Sequence, residues 1–170
     1  MKAEDDTGFR DFARARTLSM RRTAYLLCGD WHLAEDLVQT ALFKLYRAWP
    51  RVKDSAGFDN YMRRVLLRCW LDERRRPWRR RENRDGIVPE TEHVDRIPGI
   101  SDILVDALAK LPSKQRAAVV MRYCDDLSIA EVAAAMRCSE GTVKSQTSRG
   151  LTTLRQIVDR LDLTDRSNQT

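Results

Sequence analysis

Long apolar runs are missing from this 170-residue sequence, and its first ten residues, MKAEDDTGFR, lack the apolar stretch of a secretory signal. A membrane span takes about 20 consecutive apolar residues, so the expectation is a cytoplasmic protein with no membrane contact. Cysteine is scarce and scattered: Cys28, Cys69, Cys124 and Cys138 form no CxxC pair and read as reduced packing residues. Cys28 and His32 stand four apart, but two ligands do not make a zinc site. The histidines are isolated, and neither Asp5-Asp6 nor Asp125-Asp126 joins them in a cluster. Metal-assisted or acid–base chemistry needs such a cluster. The chain therefore reads as no enzyme, with no catalytic residue, metal or cofactor. Strand-like alternation is also absent from its first half.

What the sequence does have is arginine, 25 against 6 lysines, and a net charge of +6. The charge is localised. Residues 61–85 hold ten arginines against Asp72, Glu73, Glu82 and Asp85, a net of +6, so this segment carries the whole excess. Residues 86–106 hold Glu90, Glu92, Asp95, Asp102 and Asp106 against Arg96 alone.

The clearest local pattern runs over residues 127–154, LSIAEVAAAMRCSEGTVKSQTSRGLTTL. Ser128 and Glu131 have the spacing of a capping box, with Ile129, Val132, Ala133 and Met136 on one face behind it. The run stops at Arg137-Cys138, and Ser139 is a second N-cap. In the helix after it, Val143, Thr147, Gly150, Leu151 and Leu154 form one stripe, leaving Thr142, Lys144, Ser145, Gln146, Ser148 and Arg149 outside it. This is a helix-turn-helix whose polar, basic face suits a major groove.

Elsewhere, helices are expected on both sides of Cys28-Gly29-Asp30. Leu33, Leu37, Ala41, Leu45 and Ala48 mark an amphipathic helix that should end at Trp49, before Pro50. Residues 51–57 read as a turn, and Tyr61, Met62, Val65, Leu66, Cys69 and Trp70 as a basic helix limited by Pro77. Gly86, Pro89, Pro98 and Gly99 punctuate a linker. A short helix then ends at Pro112, with Ser113 capping the next, and the tail beyond Arg160 is polar and expected to fray. The prediction is an all-α fold of two small helical domains on a flexible joint.

This order of parts resembles the extracytoplasmic-function (ECF) sigma factors of bacterial RNA polymerase, within the sigma-seventy family and nearest its actinobacterial sigma-E-like branch. Three blocks carry the resemblance: AEDLVQTALFKLYRAW at residues 34–49, YMRRVLLRCWLDERRR at 61–76, and residues 111–154 with their LP, LS…E and SEGTVKS runs. It implies a sigma region 2 helical bundle over 1–81, an acidic linker over 82–100, a region 4 helix-turn-helix over 101–163 and a polar tail over 164–170. The implied partners are core RNA polymerase, through its largest-subunit coiled coil and its flap, and promoter DNA, both duplex and single-stranded. In the family an anti-sigma factor commonly covers the polymerase-binding faces; nothing in this sequence identifies one.

Residue by residue, the resemblance implies polymerase binding by Asp36, Gln39 and Thr40. Minus-ten reading falls to the loop at 51–58, with Arg51, Lys53, Asp54 and Ser55, and to a base pocket at Ala48, Val52, Val65 and Arg68. Arg63, Arg64, Arg74, Arg75 and Arg76 are assigned to backbone contact. Many relatives carry asparagine at the position of Arg68 and an aromatic residue at that of Val52, so base preference here should differ. Minus-thirty-five recognition falls to Thr142, Lys144, Ser145, Ser148 and Arg149, with Gln146 replacing a common arginine. The acidic linker would lie in the polymerase's nucleic-acid channel. The alternative reading is a stand-alone helix-turn-helix transcription regulator, which would not need the blocks at 34–49 and 61–76.

Overall fold

The break at Cys28-Gly29-Asp30 is a helix–helix corner in the computed structural model, which describes residues 3–76 and 99–167, with side chains to residue 164. Helix α1 (Ala3–Cys28) stops where Gly29 takes φ 72° and donates its N–H to Tyr25 O at 2.8 Å, a left-handed cap that glycine adopts without Cβ strain. Asp30 Oδ1 then accepts from His32 N (2.8 Å) and Leu33 N (3.2 Å) and starts α2 (Trp31–Val52). Tyr25 and Trp31 stack across the corner with ring centroids 3.6 Å apart. Helix α3 (Phe58–Arg74) completes the unit. Met20, Ala24 and Leu27 of α1, Leu37, Ala41 and Leu45 of α2, and Met62, Leu66 and Trp70 of α3 share one buried core. Each large apolar side chain so buried contributes roughly 1.5–3 kcal/mol.

Helix α2 does not end at Trp49. It continues through Pro50 to Val52; the proline, with no N–H to donate, forfeits one intrahelical hydrogen bond near the C-terminal end. The amide of Lys53 reaches back to Trp49 O at 3.0 Å, past the proline. Trp49 itself is buried among rings, with centroids at 5.4 Å from Phe9, 5.3 Å from Phe12 and 5.3 Å from Phe58. That tertiary packing overrides the local stop signal.

The chain divides into two units between Gly99 and Ile100. The linker expected over 82–100 falls, except for its last two residues, outside the described residues. The second unit comprises α4 (Asp102–Ala109), α5 (Ser113–Val119), a π-helical turn (Val120–Cys124), α6 (Ile129–Met136) and α7 (Glu140–Ser167). Ser113 is not the cap expected of it: Pro112 holds the N-cap position and no side chain caps it. The buried Arg116 ties the α4–α5 connection instead, its Nη2 donating to Ala109 O (2.9 Å) and Leu111 O (3.0 Å). These carbonyls lie at the end of α4, where a cation also meets the helix dipole favourably.

The π turn is a feature that sequence periodicity does not reveal. Asp125 N bonds to Val120 O at 3.1 Å, Asp126 takes φ 54°, and Arg122 Nη1 donates to Leu127 O at 2.6 Å. Together they turn the chain from α5 towards α6 while Met121 and Leu127 stay buried. Cys124 is exposed there, unlike the buried Cys69, so the reading of all four cysteines as packing residues fails at this one. Helix α7 also runs past Arg160 to Ser167, with Thr164 Oγ1 bonded to Arg160 O at 2.9 Å, where a fraying tail was expected.

Helix α7 meets α5 at Gly150, where a Cβ would stand 2.7 Å from Val119 Cγ2 and 3.4 Å from Gln115 O. Gly150→Ala is therefore expected to cost about 1–3 kcal/mol in urea unfolding. Gly141→Ala, whose Cβ would meet nothing nearer than Ser139 Oγ at 3.8 Å, should be neutral or stabilise by up to about 1 kcal/mol. Equal effects of the two substitutions would contradict this account of the α5–α7 contact.

Candidate functional site

Burial of one stripe of α2 dictates what its opposite stripe presents. Leu37, Val38, Ala41 and Leu45 are buried, and Asp36, Gln39 and Thr40 are all exposed. Sequence reading placed these three outward. It missed Phe43, which is 62% exposed and falls on their side of the helix, seven residues after Asp36 and four after Gln39. Phe43 is the large apolar side chain of an otherwise polar stripe. The signal was present in the 100° spacing, which puts position 43 opposite the core.

The turn after α2 is built by short local bonds. Ser55 N and Ser55 Oγ both donate to Val52 O, at 3.0 and 2.7 Å, and Phe58 N bonds to Ser55 O at 3.2 Å. Rings hold both of its ends: Trp49 before it and Phe58 after it contact each other, and Phe12 of α1 contacts both, at 4.8 Å from Phe58. Arg51, Lys53, Asp54 and Ser55 are exposed and Val52 is half-buried. Lys53 Nζ lies 2.6 Å from Asp5 Oδ1 at the start of α1, and that hydrogen bond raises the lysine pKa against an opposing effect of desolvation. Tyr46 donates its hydroxyl to Asp6 Oδ1 at 2.9 Å, and the same bond raises the phenol pKa.

Beside this turn, Lys44, Arg47, Ala48 and Arg51 of α2 and Tyr61 of α3 line an open hollow of about 310 Å³. Of the four expected pocket positions, Ala48 lines it. Val52, Val65 and Arg68 do not, although all three are half-buried. Lys44, Arg47 and Tyr61 were not among the residues singled out from the sequence. Lys44 and Arg47 share a face with Ala48 and Arg51 at spacings of three and four, whereas Tyr61 was read only as a core position.

Along α3, Arg63 and Arg64 are half-buried, and Arg63 Nη1 approaches Asn60 Oδ1 at 3.5 Å. Arg74, Arg75 and Arg76 are exposed. The Arg74 guanidinium lies 5.5 Å from the Trp70 ring centroid, and Arg76 Nε is 3.6 Å from Glu73 Oε2. Burial raises the Cys69 thiol pKa on the same helix.

In the second unit the helix-turn-helix has the caps its sequence announces. Ser128 Oγ accepts from Glu131 N at 3.1 Å while Glu131 Oε2 accepts from Ser128 N at 2.7 Å. Arg137, with φ 55°, closes α6 in the left-handed conformation. Ser139 Oγ accepts from Thr142 N at 3.1 Å and starts α7. Val143, Thr147 and Gly150 are buried and Leu151 and Leu154 half-buried, so the expected inner stripe is the observed one. Lys144, Ser145, Ser148 and Arg149 are exposed on the other side, with Gln146 half-buried. Two hydroxyls are already engaged: Thr142 Oγ1 lies 2.9 Å from Ser139 Oγ, and Ser145 Oγ donates to Thr142 O at 3.0 Å. Lys144 and Arg149 are thus the long, charged reach of this face.

The family model "Sigma-70 region 2" matches residues 14–80, and "Sigma-70, region 4" matches residues 101–154. The RNA polymerase sigma-E factors of Streptomyces avermitilis and Streptomyces coelicolor are each 35% identical to this chain over 169 residues, covering 94% of it and 89% and 90% of themselves. Among solved structures, the sigma factor RpoE from Bartonella quintana, in complex with the anti-sigma factor NepR, matches with a TM-score of 0.71 at 24% identity. That match covers 88% of this chain and 98% of that one, and it shows likeness of fold.

The Ser139 cap sets where α7 begins and hence where its outer face points. Ser139→Ala should lower stability by about 1 kcal/mol, read by thermal unfolding. Ser139→Asp should restore it; failure of the aspartate to do so would mean that the Ser139 side chain does not act as the cap.

Proposed function

This chain belongs to the sigma-70 family, and from that premise we propose how its two units divide the work of directing RNA polymerase to promoters. It is a sigma factor, a binding subunit rather than an enzyme, and its partners are core RNA polymerase and promoter DNA. The stand-alone regulator reading is set aside, since family matches cover both units. Among the described residues no helix is long and apolar enough to cross a membrane, and a factor that works on promoters acts in the cytoplasm.

The outward stripe of α2 is the polymerase-binding face, with Asp36, Gln39 and Thr40 as polar contacts to the largest-subunit coiled coil. Phe43 joins them as the apolar anchor. The single observation that supports this best is its ring, 62% exposed amid a polar stripe. An aromatic side chain surrounded by polar contacts is the usual make-up of an interface hot spot. The second unit contacts the polymerase flap and reads the minus-thirty-five element from the major groove, with Lys144 and Arg149 the charged contacts of α7. An anti-sigma factor for this chain would have to cover the same α2 stripe to keep polymerase away.

Promoter opening belongs to the turn over residues 53–57 and the hollow beside it. Extruding a base costs a few kcal/mol of stacking and pairing. Stacking on an aromatic ring returns about 1–3 kcal/mol per base. In the hollow, Tyr61 is the ring, and Lys44, Arg47 and Arg51 are the cations that meet the flanking phosphates. The half-buried Val52, Val65 and Arg68 shape the surroundings, and Arg74, Arg75 and Arg76 hold the backbone beyond.

The direct test is run-off transcription with core polymerase on a genomic promoter library, with and without the protein. Selected starts that require the protein are expected; the absence of any would overturn the reading. Phe43→Ala should weaken core-polymerase binding about 10- to 100-fold, from roughly 1.5–3 kcal/mol of lost burial, while the free protein unfolds as before. Tyr61→Ala should slow open-complex formation with duplex minus-thirty-five binding intact, and Tyr61→Phe should preserve it. If Tyr61→Ala opens promoters at the wild-type rate, the hollow is not where the base goes.

A further inference from the structure

The promoter-reading turn is not open on every side. The first turn of α1, Glu4 to Asp6, lies against it, before the segment that the region 2 family model matches. Asp5 Oδ1 is 2.6 Å from Lys53 Nζ, with the Asp5 side chain 13% exposed and the Lys53 side chain 36%. The neighbouring Asp6 is anchored to Tyr46 of α2 at 2.9 Å. Two turns further along α1, Phe9 and Phe12 hold Trp49 and Phe58 at the two ends of the reading turn. The carboxylate therefore sits on a fixed scaffold, close to where a backbone phosphate would meet Lys53. An ammonium engaged at 2.6 Å cannot give a phosphate its full attraction, and Glu4 and Asp54 add further negative field around it.

We propose that Asp5 is an intramolecular phosphate mimic: it holds Lys53 back from indiscriminate nucleic-acid backbone and yields it only when promoter contacts elsewhere on the turn hold a strand in place. The consequence is specificity. A single cation withheld lowers affinity for any single strand, while a correct minus-ten strand, gripped in the hollow as well, supplies the interaction that exchanges Asp5 for phosphate. This rests on assigning residues 53–57 to minus-ten DNA, and the test separates the two claims.

The measurement is fluorescence anisotropy of the full chain with a labelled single-stranded 20-mer of mixed sequence, across a salt titration. Asp5→Asn should tighten binding about two- to fivefold, the range of one exposed ion pair, and steepen the dependence of log K on log salt by about 0.7, that of one more phosphate contact to a single strand. The gain should vanish in the Lys53→Ala background. Glu4→Gln removes the same charge from the same helical turn without touching the ion pair, so it controls for net charge and helix fraying. An equal gain from Glu4→Gln, or no gain from Asp5→Asn, overturns the proposal. If Lys53→Ala forms open complexes at the promoters selected in the run-off experiment at the wild-type rate, the assignment of the turn to DNA fails instead.

Discussion

Everything the first unit can do depends on how α2 is buried. Its apolar stripe, Leu37, Ala41 and Leu45, is clamped between α1 and α3 in a core that includes Leu27, Leu66 and Trp70. Once that stripe is fixed, 3.6-residue periodicity leaves the helix no freedom of rotation about its axis. Asp36, Gln39, Thr40 and Phe43 must then face outward, and further along the helix Lys44, Arg47 and Arg51 reach the hollow beside Tyr61. On the proposed reading, one stretch of this rigid rod serves polymerase and the next serves DNA. Little backbone entropy then remains for a binding partner to remove.

The ring cluster extends that rigidity into a segment that would otherwise be loose. The turn over 53–57 is short and exposed, which on composition alone describes a mobile loop. Trp49 and Phe58 fix its ends, and Phe12 of α1 contacts both rings. The second unit solves the same problem differently. Its recognition helix is placed by a capping box on Ser128, a left-handed Arg137, the Ser139 cap and the close approach at Gly150. Each of these is worth about 1 kcal/mol or a few, and together they position the face carrying Lys144 and Arg149.

Legibility followed the range of the interaction. The caps at Ser128 and Ser139 are local, with every partner within four residues, and the inner stripe of α7 follows from the helical period, so the sequence displays both. It also displays the outward placement of Asp36, Gln39 and Thr40, which needs only the helical period. Long-range packing was not legible. Pro50 reads as a stop, yet Trp49 sits among three rings from other parts of the chain and α2 continues. Arg116 gave no sign that it, rather than Ser113, would tie α4 to α5. Tyr61 looked like one more apolar position on α3, because its place in the hollow depends on how α3 crosses α2. The π turn lies outside both the 3.6 and the 2.0 periods, so no pattern search would have found it.

The central claim is that neighbouring surfaces of α2 face different macromolecules. It is tested most directly by placing a photo-crosslinking amino acid at position 43, and separately at position 51, then irradiating the assembled polymerase–promoter complex. The account predicts that position 43 crosslinks to the largest polymerase subunit and position 51 to the non-template strand near the minus-ten element. A crosslink from position 43 to DNA, or from position 51 to polymerase alone, would contradict it.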